Sequence, residues 1–206
     1  MENLVIEKFN QAREKVSDIN EHIETFYQYT ISNNCTHVTE LGIRYVISSW
    51  GFLRGLLDLK EEDKTLISVD INDHPNIKEL GDICAGVKVK HKFIQQDSAK
   101  VDLEPTDILF IDTWHIYGHL KRELAKHHSI VKKFIMMHDT TIDATIGEAV
   151  RDGQNITQMA RRSGYPIQEI TRGIWLAIEE FLADHPEWVI DKRYTNNNGL
   201  TILKRI

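Results

Sequence analysis

Asp107-Ile-Leu-Phe-Ile-Asp112 is an unbroken apolar run held between two acids. A strand that is apolar at every position, rather than at alternate ones, is covered on both faces. That is the mark of a central strand in a parallel sheet. Outward from it, short apolar runs alternate with helical patterns. Residues 38–41, 66–70, 92–96 and 134–138 read as further strands, with 108–112 as the strand of the quoted run. Residues 48–59, 117–126 and 145–162 read as helices between or after them. Such alternation predicts a parallel sheet with helices on both faces.

The pattern changes near the C-terminus. Ile174, Trp175, Ile178, Phe181 and Leu182 mark one more amphipathic helix, stopped near Pro186. Residues 188–194 and 200–204 flank Asn196-Asn-Asn-Gly199, which reads as an antiparallel hairpin. Upstream, Phe9, Ala12, Val16, Ile19, Ile23 and Phe26 recur at steps of three and four, the period of one helix face. Asn33-Asn34 reads as the turn that ends this segment. The expected fold is α/β and Rossmann-like: a mostly parallel, seven-stranded sheet with helices on both faces and a C-terminal antiparallel hairpin. One domain, 1–206, is expected, with a helical extension at 1–32 and a core at 36–206.

Composition excludes several classes. The chain has 206 residues, is 41% hydrophobic and carries a net charge of -6. That suffices for one buried core. No basic stripe is present, so no nucleic-acid partner is expected. Two cysteines, Cys35 and Cys84, form no CxxC pair, which fits a reducing, cytoplasmic setting. The first residues do not read as a signal peptide. No apolar run of 18 residues exists, so no membrane span is expected. Ten histidines direct attention to metal and proton chemistry.

In open α/β sheets, ligands bind outside the carboxyl ends of the strands. Acids gather at that edge here: Glu40, Asp70, Asp97, Asp112 and Asp139. Like charges on one rim repel, and a cationic ligand, ribose hydroxyls or a metal would offset that. Glu40-Leu-Gly42 is a strand-to-helix turn with one glycine where a dinucleotide fingerprint has three, so NAD and FAD are disfavoured. Asp70 can accept ribose hydroxyls or cap a turn. Asp97 and Ser98 suit an adenine amino group or a helix cap equally. Asp112-Thr-Trp-His115 pairs a carboxylate for a hard cation with an imidazole that can take a proton near neutral pH. His138-Asp139 ends the neighbouring strand and faces it. His119 reads as a helix-surface residue, and His127 and His128 as helix-end charges.

Together these pieces resemble a metal-dependent O-methyltransferase of the class I S-adenosylmethionine superfamily, nearest to its cephalosporin-hydroxylase-like and macrocin O-methyltransferase-like group. The similar segments are Glu40-Leu-Gly-Ile-Arg-Tyr-Val-Ile-Ser48, Ser68-Val-Asp70, Ile111-Asp112-Thr-Trp-His115-Ile-Tyr117, His138-Asp139-Thr140, and residues 173–188 with 198–204. The resemblance implies a Rossmann-like methyltransferase fold. It implies that Glu40, Gly42, Ser48, Asp70, Asp97 and Ser98 hold S-adenosylmethionine. It implies that Asp112, His138 and Asp139 ligate a divalent metal, Mg²⁺ or Mn²⁺, and that His115 is the catalytic base beside Asp112. His138 departs from the group, where that position is usually acidic. The implied acceptor is a small-molecule or glycan hydroxyl, a sugar first, and a homo-oligomer is allowed. Two other readings stay open: a non-haem metal oxygenase or hydrolase on His115, His138 and Asp139, and a non-catalytic cofactor-binding scaffold.

Overall fold

The computed structural model describes residues 1–206. Seven strands form one sheet: β1 His37–Leu41, β2 Thr65–Asp70, β3 Lys90–Gln95, β4 Thr106–Ile111, β5 Val131–His138, β6 Trp188–Tyr194 and β7 Leu200–Arg205. Their spatial order is β3-β2-β1-β4-β5-β7-β6. The first five run parallel, and β7 lies antiparallel between β5 and β6. This is the sheet the sequence predicts. All six residues of β4 are buried. Along it, Ile108 and Phe110 enter one core while Leu109 and Ile111 enter the other, as the two-residue period of a strand requires.

Nine helices flank the sheet: α1 Glu2–Glu14, α2 Ile23–Ser32, α3 Ile47–Asp58, α4 Pro75–Gly86, α5 Tyr117–His127, α6 Glu148–Arg151, α7 Ile156–Ser163, α8 Ile167–Thr171 and α9 Trp175–Asp184. Helices α1 to α4 bury Val5, Phe26, Leu53 and Leu80 on one face. Helices α5 and α9 bury Leu120, Leu124 and Ile178 on the other. The three short helices α6 to α8 close a separate small core of Ile116, Ala149 and Ile170 near the carboxyl edge of β4.

Two local expectations are corrected, and one helix is new. The N-terminal helix is two helices separated by residues 15–22. Val16 continues the three-four spacing yet is 89% exposed, because the helix has already ended at Glu14. The stretch 145–162 holds two helices, broken at Gly153, whose φ of +65° lies in the left-handed region. Helix α4, with Pro75 at its first turn, was not anticipated. The hairpin loop fits its reading: Asn197, Asn198 and Gly199 all have positive φ, a conformation that Asn and Gly tolerate best. No helix is long and apolar enough to cross a membrane.

Candidate active site

Parallel register brings the chemistry to one edge. Leu41 pairs with Ile111, and Ile111 with Met137, so the residues that follow leave the sheet at the same level. The turn after β1 is set by Gly42, whose φ is +78°. A Cβ there would lie 1.9 Å from the Asp112 carbonyl oxygen, so only glycine lets the two strand ends meet. The backbone is left-handed again at Arg44 (φ +39°) and Val46 (φ +57°). A β-branched residue in that region is strained; Val46 is held there by the core it enters. The loop thus has the alternation of a glycine-rich turn with one glycine. Asp70, at the end of β2, fastens it: Oδ2 accepts the amides of Ile43 and Arg44 at 3.1 and 3.2 Å, and Oδ1 that of Asn72 at 2.9 Å.

A half-open cleft of about 60 Å³ lies along this loop, lined by Asp18, Ile19, Arg44, Tyr45, Ser48 and Asp112 among others. Its far wall is the segment between α1 and α2. That segment is tied to the hairpin loop: Glu21 N–H donates to Asn197 Oδ1 (3.0 Å), Asn197 Nδ2 to the Ser17 carbonyl (2.8 Å), and His22 Nε2 to the Asn196 carbonyl (3.2 Å).

Glu40 lies beneath the cleft, fully buried. Its two oxygens accept the hydroxyls of Ser48 and Ser49, each at 2.7 Å. Burial dominates and pushes its pKa up to about 7, against the lowering effect of both serines. The unfolded carboxyl, at 4.5, loses its proton first. Folding stability is therefore expected to fall by roughly 3 kcal/mol between pH 4.5 and 7 on account of this one group. Urea titrations across that window should show the fall in the wild type and a flatter profile in Glu40→Gln. An equal slope in both proteins would assign the dependence to other groups.

Asp112 leaves β4 and His138 ends β5. Asp112 Oδ1 lies 3.2 Å from both His115 Nε2 and His138 Nδ1. Asp139 Oδ2 lies 3.0 Å from His115 Nδ1 and 3.5 Å from His138 Nδ1. His138 Nε2 donates to the Asn197 carbonyl at 3.1 Å, which turns Nδ1 toward the two carboxylates. Asp143 and Glu148 also approach His115 Nδ1, at 3.5 and 3.6 Å. Arg151 grips Asp143 through Nε at 2.6 Å and a second nitrogen at 3.2 Å.

Burial alone would lower both histidines. The facing carboxylates outweigh it, so His138 is raised to about 10 and His115 well above its ordinary value. Conversely, burial would raise Asp112 and Asp139, but the imidazoles hold Asp112 at about 2 and Asp139 below the usual carboxylate range. The two imidazoles and the Arg151 guanidinium thus face four carboxylates, those of Asp112, Asp139, Asp143 and Glu148.

The structure brings Asp112, His115, His138 and Asp139 together, as expected from their strand ends. Asp143, Arg151, Asn197 and His22, whose ring meets His138 edge-on at 5.7 Å, were not anticipated. Asp143 falls one helical turn after Asp139, which was a usable signal. Asp97 accepts the Ala99 amide at 3.0 Å and pairs with Lys100, as a turn cap does. Ser98 is buried, with its hydroxyl 3.1 Å from His119 Nε2. The surface reading of His119 is corrected: it is buried between Ser98, Tyr165 (2.8 Å) and Glu123 (3.3 Å).

Donor atoms within 4.8 Å of one another form two groups at this edge, Asp112–His138–Asp139 and His115–Asp139–Asp143. The two histidines stand in different groups. Beside them a smaller cavity of about 10 Å³, room for about one water, is lined by Thr113, Trp114, His115, Glu123, His138 and Ile174 among others.

No protein-family model and no curated protein matches this chain. Solved structures do. It is similar to a putative caffeoyl-CoA O-methyltransferase from Staphylococcus aureus, with TM-score 0.60, 15% identity and coverage of 100% of this chain and 92% of that one. It is similar to the O-methyltransferase TomG from Streptomyces achromogenes in complex with SAM, with TM-score 0.61, 13% identity and coverage of 98% and 89%. The SAH-bound methyltransferase PaMTH1 from Podospora anserina gives TM-score 0.59, 15% identity and coverage of 98% and 87%. Identities this low speak for architecture alone, and with the observed strand order they establish that the chain has the Rossmann-like methyltransferase fold.

Proposed function

We propose that this chain is an S-adenosylmethionine-dependent O-methyltransferase assisted by a divalent cation, acting on a small-molecule hydroxyl, with a sugar or glycoside as the first candidate. One observation carries the reading. Asp112 lines the cleft of the strained loop and is also bonded to both histidines of the cluster. A cofactor cleft and a proton-handling group therefore share one residue.

The residues fit the cofactor in part. A carboxylate has about four acceptor positions. Three at Asp70 are taken by backbone amides, which leaves one for a ribose hydroxyl. Arg44 is mostly exposed at the cleft rim and suits the carboxylate of the methionine portion, with Asp18 and Asp112 toward its ammonium. Glu40 acts from below by holding Ser48 and Ser49. Asp97 and Ser98 lie past β3, where Ser98 is already committed to His119.

The metal fits on a separate ground. Asp139 Oδ1 is buried without a hydrogen-bond partner, an arrangement that costs about 1–3 kcal/mol unless something occupies it. Asp112, Asp139 and the Nδ1 of His138 that faces them would hold the cation, with the Asn197 carbonyl fixing the ring of His138. A histidine among the ligands favours Mn²⁺ over Mg²⁺.

When bound, the cofactor supplies an electrophilic methyl group and the cation supplies charge to stabilise an acceptor oxygen. The chain's own residues do the rest. His115 holds a proton between Asp112 and Asp139 and is the group placed to exchange one with a hydroxyl. Asp143 and Glu148 steady it, and Arg151 steadies Asp143. Trp114, beside His115, lines the same small cavity and stands next to the proposed proton-handling group.

Titration calorimetry with S-adenosylhomocysteine tests the reading. Saturable binding is expected, weakened by about 1.5–3 kcal/mol in a folded Asp70→Ala protein. Tight NADH binding with none of the nucleoside sulfide would overturn the cofactor class.

A further inference from the structure

His128, His185 and Glu187 meet at the opposite edge of the sheet. His128 sits in the turn between α5 and β5, His185 ends α9, and Glu187 precedes β6. His138 ends the same strand that His128 precedes. The eight residues of β5 separate this cluster from the candidate active site by roughly 25 Å.

The geometry is that of a ligand set. One donor atom from each residue lies within 4.8 Å of the others. The imidazole rings of His128 and His185 approach to 4.2 Å between centroids, and Phe181 covers His185 at 4.6 Å. His128 Nδ1 donates to the Leu124 carbonyl at 2.9 Å, so its Nε2 carries the lone pair. Metal-binding histidines are set by such a bond on the other nitrogen. His185 Nδ1 and Glu187 Oε1 stand 3.2 Å apart. Tetrahedral Zn²⁺ with bonds of about 2.0–2.1 Å needs donors about 3.3 Å apart, so that edge is already in place. Arg205 is the nearby competing cation, but its guanidinium donates to the Val131 carbonyl at 2.7 Å and lies over Trp188.

We propose that His128, His185 and Glu187 form a second, structural cation site that takes Zn²⁺ or a similar borderline transition metal. Two imidazoles and one carboxylate disfavour Mg²⁺ and Ca²⁺, which seek all-oxygen shells. All three residues are half-buried, so solvent can complete the shell. The cation would clip the ends of α5 and α9 to the start of β6. Because it binds the folded chain, it would raise thermal stability with concentration.

Cobalt is the probe. Untagged full-length protein in excess Mg²⁺ is titrated with Co²⁺, and the visible absorption of low-coordinate cobalt is read. In Asp139→Asn, which lacks a ligand of the candidate active site, one equivalent should give the band, and Zn²⁺ should displace it and raise the melting temperature. His185→Gln and, independently, Glu187→Gln should each weaken cobalt binding at least tenfold. Asp139→Asn should leave the band in place. A band that survives both first substitutions, one lost in Asp139→Asn, or no band at all would overturn the proposal.

Discussion

Turnover in a His115→Ala protein is expected to fall roughly 10²–10⁴-fold, the usual contribution of a positioned base. Cofactor affinity should stay within a few-fold, because His115 faces the cluster and the smaller cavity rather than the loop-lined cleft. The pH profile separates proton transfer from mere packing. Wild-type activity should rise with pH through one ionisation and level off. The carboxylates around His115 raise its pKa when no cation is present. A cation on Asp112 and Asp139 competes with that proton, so the rising limb should move to lower pH as metal concentration increases. Both the limb and its shift should vanish in His115→Ala. Turnover near wild type with the limb intact would leave His115 as a packing group and make His138 the next candidate.

Asp112→Ala should destabilise the metal-free protein by about 3–5 kcal/mol at about pH 5.5, because it leaves buried imidazolium charge short of a partner. The direction with pH follows from His138. Its folded pKa is raised from 6.5 to about 10, so the stability it contributes is whole below 6.5 and lost as pH climbs toward 10. The gap between wild type and variant should therefore shrink at about pH 9. That window lies above the one set by Glu40, so the two effects can be read in one series of unfolding curves. A gap of equal size at both pH values would mean that Asp112 matters through packing and not through its ion pairs.

The sheet was readable because Ile108 to Ile111 of β4 are all apolar between Asp107 and Asp112, and a segment that short needs such a run only when both of its faces are covered. The hairpin was readable because Asn and Gly fill positions that need positive φ. Helix α4 escaped although Pro75, Ile77, Leu80, Ile83 and Cys84 carry its start and its face. The N-terminal break escaped because Val16 keeps the spacing after the helix has stopped. In the site, Asp112, His115, His138 and Asp139 were legible because strand ends in a parallel sheet must converge. Arg151, Asn197 and His22 were not, since only tertiary folding delivers them. His119 misled for a related reason: a histidine in a charged helix looks solvated until Ser98 and Tyr165, far off in sequence, are seen to enclose it.

The tie between the segment before α2 and the hairpin loop bears on the order of folding. Its hydrogen bonds span 174 to 180 positions. Closing a flexible loop of that length costs about 4–5 kcal/mol of chain entropy, comparable with the return from the four hydrogen bonds of the tie, Asn196 Nδ2 to Glu21 included. The tie is therefore expected to gain net stability once the sheet has brought β7 beside β5 and shortened the gap. Asp18 and Ile19 reach their places with it, and Asn197 turns its carbonyl to His138 in the same event. Long-range closure of this kind belongs late in folding. The cleft wall and the orientation of His138 are thus expected to be completed late in folding, after the sheet that carries them.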